Sequence, residues 1–110
     1  SCVFTNDLTP RAKYPKGSAG YKKTLIKEGA SIGANATVVC GHTVGKWALI
    51  GAGAVVACNV PDHALMLGVP ARGWACECGA LLHFEDEQAA CAACGRHYKQ
   101  AGDDRIEESK

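Results

Sequence analysis

An aliphatic residue recurs every six positions through the middle of the chain: Ile26, Ile32, Val38, Val44, Ile50 and Val56. Two residues before each stand Thr24, Ala30, Ala36, His42, Ala48 and Ala54, all small except His42. Three residues after each come Gly29, Asn35, Gly41, Trp47, Gly53 and Asn59. All but Trp47 are Gly or Asn, which tolerate positive φ. In a short strand, residues two apart share a side. The aliphatic and small positions therefore face inward, and the Gly or Asn turns a corner. Three such hexads close a triangular coil, so residues 24–59 predict two coils. Ile26 then stacks on Val44, Ile32 on Ile50 and Val38 on Val56, at roughly 4.8 Å, the spacing of neighbouring strands. A meander would need two-residue hairpin turns, which this rhythm does not supply.

The rest of the sequence bounds what surrounds these coils. With 110 residues there is room for one small domain, or a module with an appendage. Twelve Lys and Arg nearly balance eleven Asp and Glu, which argues against a nucleic-acid footprint. No apolar run approaches the ~18 residues of a membrane span, and no signal peptide is visible. The chain opens on Ser1, and Cys2-Val3-Phe4 already reads as strand. We therefore expect a piece of a longer protein whose earlier coils are missing. Charge is uneven. Residues 1–23 hold Arg11, Lys13, Lys16, Lys22 and Lys23 against Asp7, a net of 5 − 1 = +4. A local basic loop of that kind suits a small anionic ligand.

Seven cysteines in an odd count, with no signal peptide, argue against a disulfide framework. Cys2, Cys40 and Cys58 sit among small apolar residues and are expected to be buried and inert. The other four form two tight pairs, Cys76-x-Cys78-Gly and Cys91-x-x-Cys94-Gly, twelve residues apart. Paired thiolates suit tetrahedral Zn²⁺, and four of them close the site to water, so the expected zinc is structural. The arrangement resembles a zinc ribbon and places the chain in a reducing compartment. The first pair is one residue shorter than the usual spacing.

The runs Gly29-Ala-Ser-Ile-Gly-Ala-Asn-Ala-Thr-Val-Val-Cys-Gly41 and Ile50-Gly-Ala-Gly-Ala-Val-Val56 resemble the hexapeptide-repeat acyltransferases. The resemblance implies an all-β chain folded as a left-handed parallel β-helix. Val60-Pro-Asp-His-Ala-Leu-Met-Leu-Gly-Val-Pro-Ala-Arg72 resembles the strand that closes the helix in that family. The expected organisation is coils over 1–72 with a basic loop inserted at about 7–23, a zinc-ribbon-like module over 73–100, and a flexible tail over 101–110. The order Val3-Phe-Thr-Asn-Asp-Leu-Thr-Pro-Arg-Ala12, loop, hexads, Gly-Trp and cysteines is similar to the C-terminal portion of bacterial UDP-2-acetamido-3-amino-2,3-dideoxy-glucuronate N-acetyltransferases. Those enzymes serve surface polysaccharide synthesis.

That resemblance implies an acetyl-CoA-dependent N-acetyltransferase acting on a UDP-linked amino sugar acid. It also implies a cytoplasmic homotrimer with its active site between subunits, without nucleic acid or membrane insertion. Another acceptor, or a non-catalytic assembly module, are the alternatives. Amide formation from a thioester needs an unprotonated amine, an aligned thioester and donors for the oxyanion. Gly33 and Gly51, eighteen residues apart, are expected to line the acetyl-CoA groove with Ala52. Arg72 suits a CoA phosphate, because guanidinium matches phosphate geometry. Asn6 is a candidate to orient the amine or the thioester. Arg11 and the loop lysines are candidates for the carboxylate or diphosphate of the acceptor, although Lys22 and Lys23 read rather as solvated side chains. His42 either serves as general base, since histidine titrates near neutrality, or is a corner histidine bonded to backbone. Outward Leu25, Val39, Leu49 and Val55 fit a surface that meets a partner.

Overall fold

The structure, a computed structural model, describes residues 1–68, 71–102 and 105–109, with backbone alone at 71 and 72. Six two-residue strands carry the hexads: β2 (Leu25–Ile26), β3 (Ser31–Ile32), β4 (Thr37–Val38), β5 (Thr43–Val44), β6 (Leu49–Ile50) and β7 (Val55–Val56). Each pairs in parallel with the strand one coil away. Ile26 lies against Val44, Ile32 against Ile50 and Val38 against Val56, as the six-residue period requires. The chain therefore winds as a parallel β-helix of triangular section.

Both ends extend beyond the two coils. β1 (Val3–Phe4) pairs with β4, Phe4 against Val38, so the loop that follows β1 is inserted into a coil. At the other end the offset tightens from eighteen residues to sixteen. Val60 bridges Val44, and β8 (Ala64–Leu67) pairs with β6, Met66 against Ile50. The corner absorbs the difference with side chains: Asn59 Oδ1 accepts the Thr43 N–H and Asp62 Oδ1 accepts the Lys46 N–H.

The core follows the pattern except at Ile26, expected inward but exposed in the first of the two coils. Ala36, Val38, Val44, Ala48, Ile50, Ala54, Val56, Val60, Ala64 and Met66 form one buried cluster, with Cys2, Ala30 and Ile32 packed against it. Gly29, Asn35, Gly41 and Gly53 adopt positive φ at their corners. So does Trp47, at φ 59, although a bulky side chain there costs about 1–2 kcal/mol. Its indole lies over Gly29, where a Cβ would fall 2.1 Å from the ring. Gly29 is thus required for its φ and for the space above it. Cys40 is buried and Cys2 half-buried, but Cys58 is exposed, against expectation. It sits in the shortened corner, where the six-residue rule no longer sets which way a side chain faces.

β8 turns back antiparallel into β9 (Ala71–Ala75), which pairs with β10 (Leu81–Leu82). The sheet β3-β6-β8-β9-β10 therefore runs from the coils into the cysteine-bearing segment. Beyond it, β11 (Gln88–Ala90), β12 (His97–Gln100) and β13 (Ile106–Ser109) form an antiparallel sheet. A second cluster of Cys76, Leu82, Ala89, Cys91, Tyr98 and Ile106 lies beneath it. Within the stretch expected as a flexible tail, 101–110, residues 106–109 differ from that expectation: β13 pairs along its length with β12, and Ile106 is buried.

Candidate functional site

The corners of the triangle separate the candidate residues into groups. One corner gathers the ends of the basic loop. The Thr5 N–H donates to Val38 O, and the Cys40 N–H donates to Thr5 Oγ1. One residue on, Asn6 O accepts the Lys22 N–H at 2.9 Å, which closes the loop. Lys23 O accepts the Gly41 N–H and His42 O accepts the Leu25 N–H. Asn6, Lys22, Lys23 and His42 thus share one corner. No side-chain hydrogen bond ties Asn6 or His42 among the described residues.

The loop braces itself. Lys16 Nζ meets Asp7 Oδ1, Thr9 Oγ1 and Thr9 O, and Asp7 also accepts the Thr9 N–H. The bond from Lys16, then that from Thr9, holds the Asp7 carboxyl below its ordinary range. Lys16 is therefore committed to Asp7, while Arg11, Lys13, Lys22 and Lys23 stay exposed. The corner keeps a net positive surface.

The next corner holds Gly33, Gly51 and Ala52, between β3 and β4 in one coil and β6 and β7 in the next. A Cβ on Gly33 would fall 2.5 Å from Ala52 N and 2.7 Å from Gly51 C. One on Gly51 would fall 2.7 Å from Leu67 Cδ2. Their amides are spent within the ladder, Gly33 on Ile50 O and Gly51 on Met66 O. Both glycines thus have a packing reason for their identity. Within one chain, the strand layer β1-β4-β7 stands between this corner and that of Asn6 and His42. The Arg72 backbone pairs with Met66, and its side chain lies outside the described residues. Leu25 is exposed, whereas Val39, Leu49 and Val55 are half-buried.

The four late cysteines do converge. The Sγ atoms of Cys76, Cys78, Cys91 and Cys94 all lie within 4.8 Å of one another. Cys76 and Cys94 are 3.4 Å apart, and Cys78 and Cys91 3.5 Å. Sulfurs about 2.3 Å from a tetrahedral Zn²⁺ stand roughly 3.8 Å apart, so the cluster fits that metal. Two tight turns build it: the Gly79 N–H reaches Cys76 O, and the Gly95 N–H reaches Cys91 O, with both glycines at positive φ.

The surroundings favour the anion at Cys94 and Cys91 and oppose it at Cys78. The Arg96 amide, and then its guanidinium 3.3 Å away, lower the Cys94 thiol to about 6 against the cost of desolvation. Cys91 is lowered too, first by the Cys94 amide. Cys78 feels a lowering pull from the Ala80 amide, but its bond with Cys91 and desolvation push it up to about 12. Arg96 also faces Glu77 and Glu108 at 3.8 and 3.9 Å. Sequence reasoning missed Arg96, which stands two residues after Cys94 and reaches its sulfur, and also Tyr98 and His63, which touch the cluster or its neighbours only through space. No spacing rule could have found Tyr98 or His63, whereas the two-residue step from Cys94 to Arg96 was there to be read.

No protein-family model matches the chain. Individual relatives do. It is 49% identical over 83 residues to a dTDP-3-amino-3,6-dideoxy-α-D-galactopyranose 3-N-acetyltransferase of Aneurinibacillus thermoaerophilus, over 74% of this chain and 43% of that protein. It is 47% identical over 76 residues to the serine acetyltransferase of Escherichia coli K12, over 66% of this chain and 28% of that protein. It is 45% identical over 62 residues to the bifunctional protein GlmU of Fervidobacterium nodosum, over 51% of this chain and 14% of that protein. The aligned part spans less than half the length of each relative. Coil geometry and these relatives together define the class: a hexapeptide-repeat chain related to acyltransferases. Among those relatives, the amino-sugar N-acetyltransferase matches the largest share of this chain. Among the described residues, no helix is long and apolar enough to cross a membrane.

Proposed function

We propose that this chain is part of an acetyl-CoA-dependent N-acetyltransferase that modifies the amino group of a nucleotide-linked amino sugar. The observation that carries the reading is the shared corner, where loop closure through Asn6 and Lys22 brings Asn6, His42 and the exposed basic residues together. The relative that acts on a dTDP-amino sugar supports the substrate class. The sugar is a UDP-linked acid destined for surface polysaccharide, and Arg11, Lys22 and Lys23 meet its diphosphate or carboxylate.

His42 takes the proton that the acceptor nitrogen loses as its bond to the acetyl carbon forms and the carbon–sulfur bond breaks. Asn6 orients the amine or the thioester oxygen. Gly33, Gly51, Ala52 and Arg72 line the acetyl-CoA groove. Because the β1-β4-β7 layer divides these two groups within one chain, a complete site takes one corner from each of two subunits, which suits a trimer in the bacterial cytoplasm. Zn²⁺ held by Cys76, Cys78, Cys91 and Cys94 is structural. Four thiolates leave it no open position for water.

The similarity to serine acetyltransferase favours a second reading with a different acceptor on the same coils. Calorimetric titration with acetyl-CoA tests the common ground, using this chain and a version extended towards its N-terminus. Binding by either supports an acetyltransferase. Binding by neither removes its main support. A panel of UDP-amino sugars, dTDP-amino sugars and serine then separates the acceptors, and the proposal expects turnover only with the nucleotide sugars.

A further inference from the structure

Tyr98 is the largest fully buried side chain described, and its hydroxyl sits beside the cysteine cluster. It accepts the Glu77 N–H at 3.1 Å and lies 3.2 Å from Cys76 Sγ. A phenol has one proton. The oxygen can accept the Glu77 N–H while that proton goes to the Cys76 sulfur whenever the sulfur is a metal-bound thiolate, which has no proton of its own to donate. The hydroxyl therefore holds a ligand atom and the amide that follows it.

The Tyr98 ring also meets a residue of the coils. His63 stands edge-on to it, with centroids 5.2 Å apart and planes at 62°. The His63 N–H donates to Lys46 O in the preceding coil. Its carbonyl accepts the Ala75 N–H at 2.6 Å, and its Nδ1 lies 3.1 Å from Ala75 O, placed to donate a proton there. His63 holds φ 64, which a non-glycine residue keeps only when its surroundings fix it. Ala75 is fully buried and immediately precedes Cys76. The connection Lys46–His63–Ala75–Cys76 is thus bonded at every step, and Tyr98 closes it into a ring.

We propose that the four-cysteine metal site clasps the end of the coil stack, with Tyr98 and His63 as the positioning residues that carry the connection. The inference rests on the reading of the cluster as a zinc site. A metal that fixes Cys76 Sγ fixes Ala75 and the Tyr98 hydroxyl. Those in turn fix the His63 corner, which hydrogen-bonds the coil before it. Stacked repeats need such terminal caps, because the last coil has no neighbour to cover it.

The test is amide exchange on the full chain, loaded with Zn²⁺ or treated with chelator, beside measurement of bound zinc. Loading is expected to slow exchange at His63, Ala75 and Gly45 on the order of tenfold, as local opening becomes rarer. Tyr98→Phe is expected to weaken zinc binding about 10-fold, the low end for loss of a group that supports a ligand. His63→Asn accepts the same backbone shape and leaves the sulfurs untouched. It is expected to bind zinc with unchanged affinity and to lose the slowing at Gly45. If zinc binds one per chain but protection stops at Cys76, or if His63→Asn keeps the full gain, the clasp is overturned and the zinc reading stands. If no zinc binds, both fall.

Discussion

Replacing Gly33 by alanine tests whether backbone contact sets the distance between coils. The φ of Gly33 lies outside the left-handed region, so alanine meets no conformational objection there. The objection is space. The new Cβ would lie 2.5 Å from Ala52 N, and an ordinary contact begins near 3.4 Å, so the coils must part locally by 0.9 Å. The Gly33 N–H to Ile50 O bond, now 2.8 Å, would then stretch to about 3.7 Å and cease to be one. Its loss costs about 1 kcal/mol, and the strain of overpacking adds about 2 kcal/mol. The total of about 3 kcal/mol lowers the midpoint of a thermal melt by roughly 10–20 °C for a domain of this size. Gly53→Ala is the control. It has open space around it but a φ of +72, so it costs about 1–2 kcal/mol through conformation alone. Circular dichroism melts of the zinc-loaded chain rank the two. A Gly33→Ala protein as stable as Gly53→Ala refutes the packing argument. If that protein also lost acetyl-CoA binding, Gly33 would be a ligand contact instead.

Other expectations come from single residues. Ile50→Ala removes a buried side chain stacked between Ile32 and Met66 and is expected to cost about 2–5 kcal/mol by urea denaturation. Cys58→Ser, at an exposed position, is expected to stay within about 0.5 kcal/mol of the parent in the same assay. Lys16→Met removes the main cause of the lowered Asp7 pKa, so the Asp7 carboxyl resonance should titrate closer to 3.8 in the variant. Because the native pKa is the depressed one, the Asp7–Lys16 contact contributes fully above that ordinary value and fades as pH falls through the native pKa. Zinc binding should release protons and weaken on acidification, since thiolates bind the metal. Calorimetry in two buffers of different ionisation enthalpy would read that release, and a buffer-independent heat would contradict thiolate ligation.

What was legible in the sequence follows from how the information is carried. The coil core is written by a local rule repeated six times, from Ile26 to Val56, and each strand finds its partner at a constant offset. The register could therefore be stated residue by residue, and β2 to β7 follow it. The rule fails where an offset changes. Phe4 meets Val38 across the inserted loop, and Met66 meets Ile50 after a shortened corner. Neither spacing repeats, so neither leaves a period to detect. β13 was hidden for a different reason. It buries only Ile106 of its first three residues, while Glu107 and Glu108 face solvent, and one apolar residue makes no pattern.

The two candidate sites divide along the same line. Four cysteines in close pairs carry their geometry in their spacing, and their sulfurs do converge. The residues proposed for acetyl transfer carry none, because Asn6 and His42 come to share a corner only after the loop that follows Asn6 has closed on itself through Lys22. His63 and Tyr98 lie 35 positions apart and join through a ring contact and their shared neighbours Ala75 and Cys76. Such a contact becomes visible only when coil and cysteine module are already packed together. That is why a cap, which belongs to neither repeat nor metal motif alone, can be argued from the fold and not from the sequence.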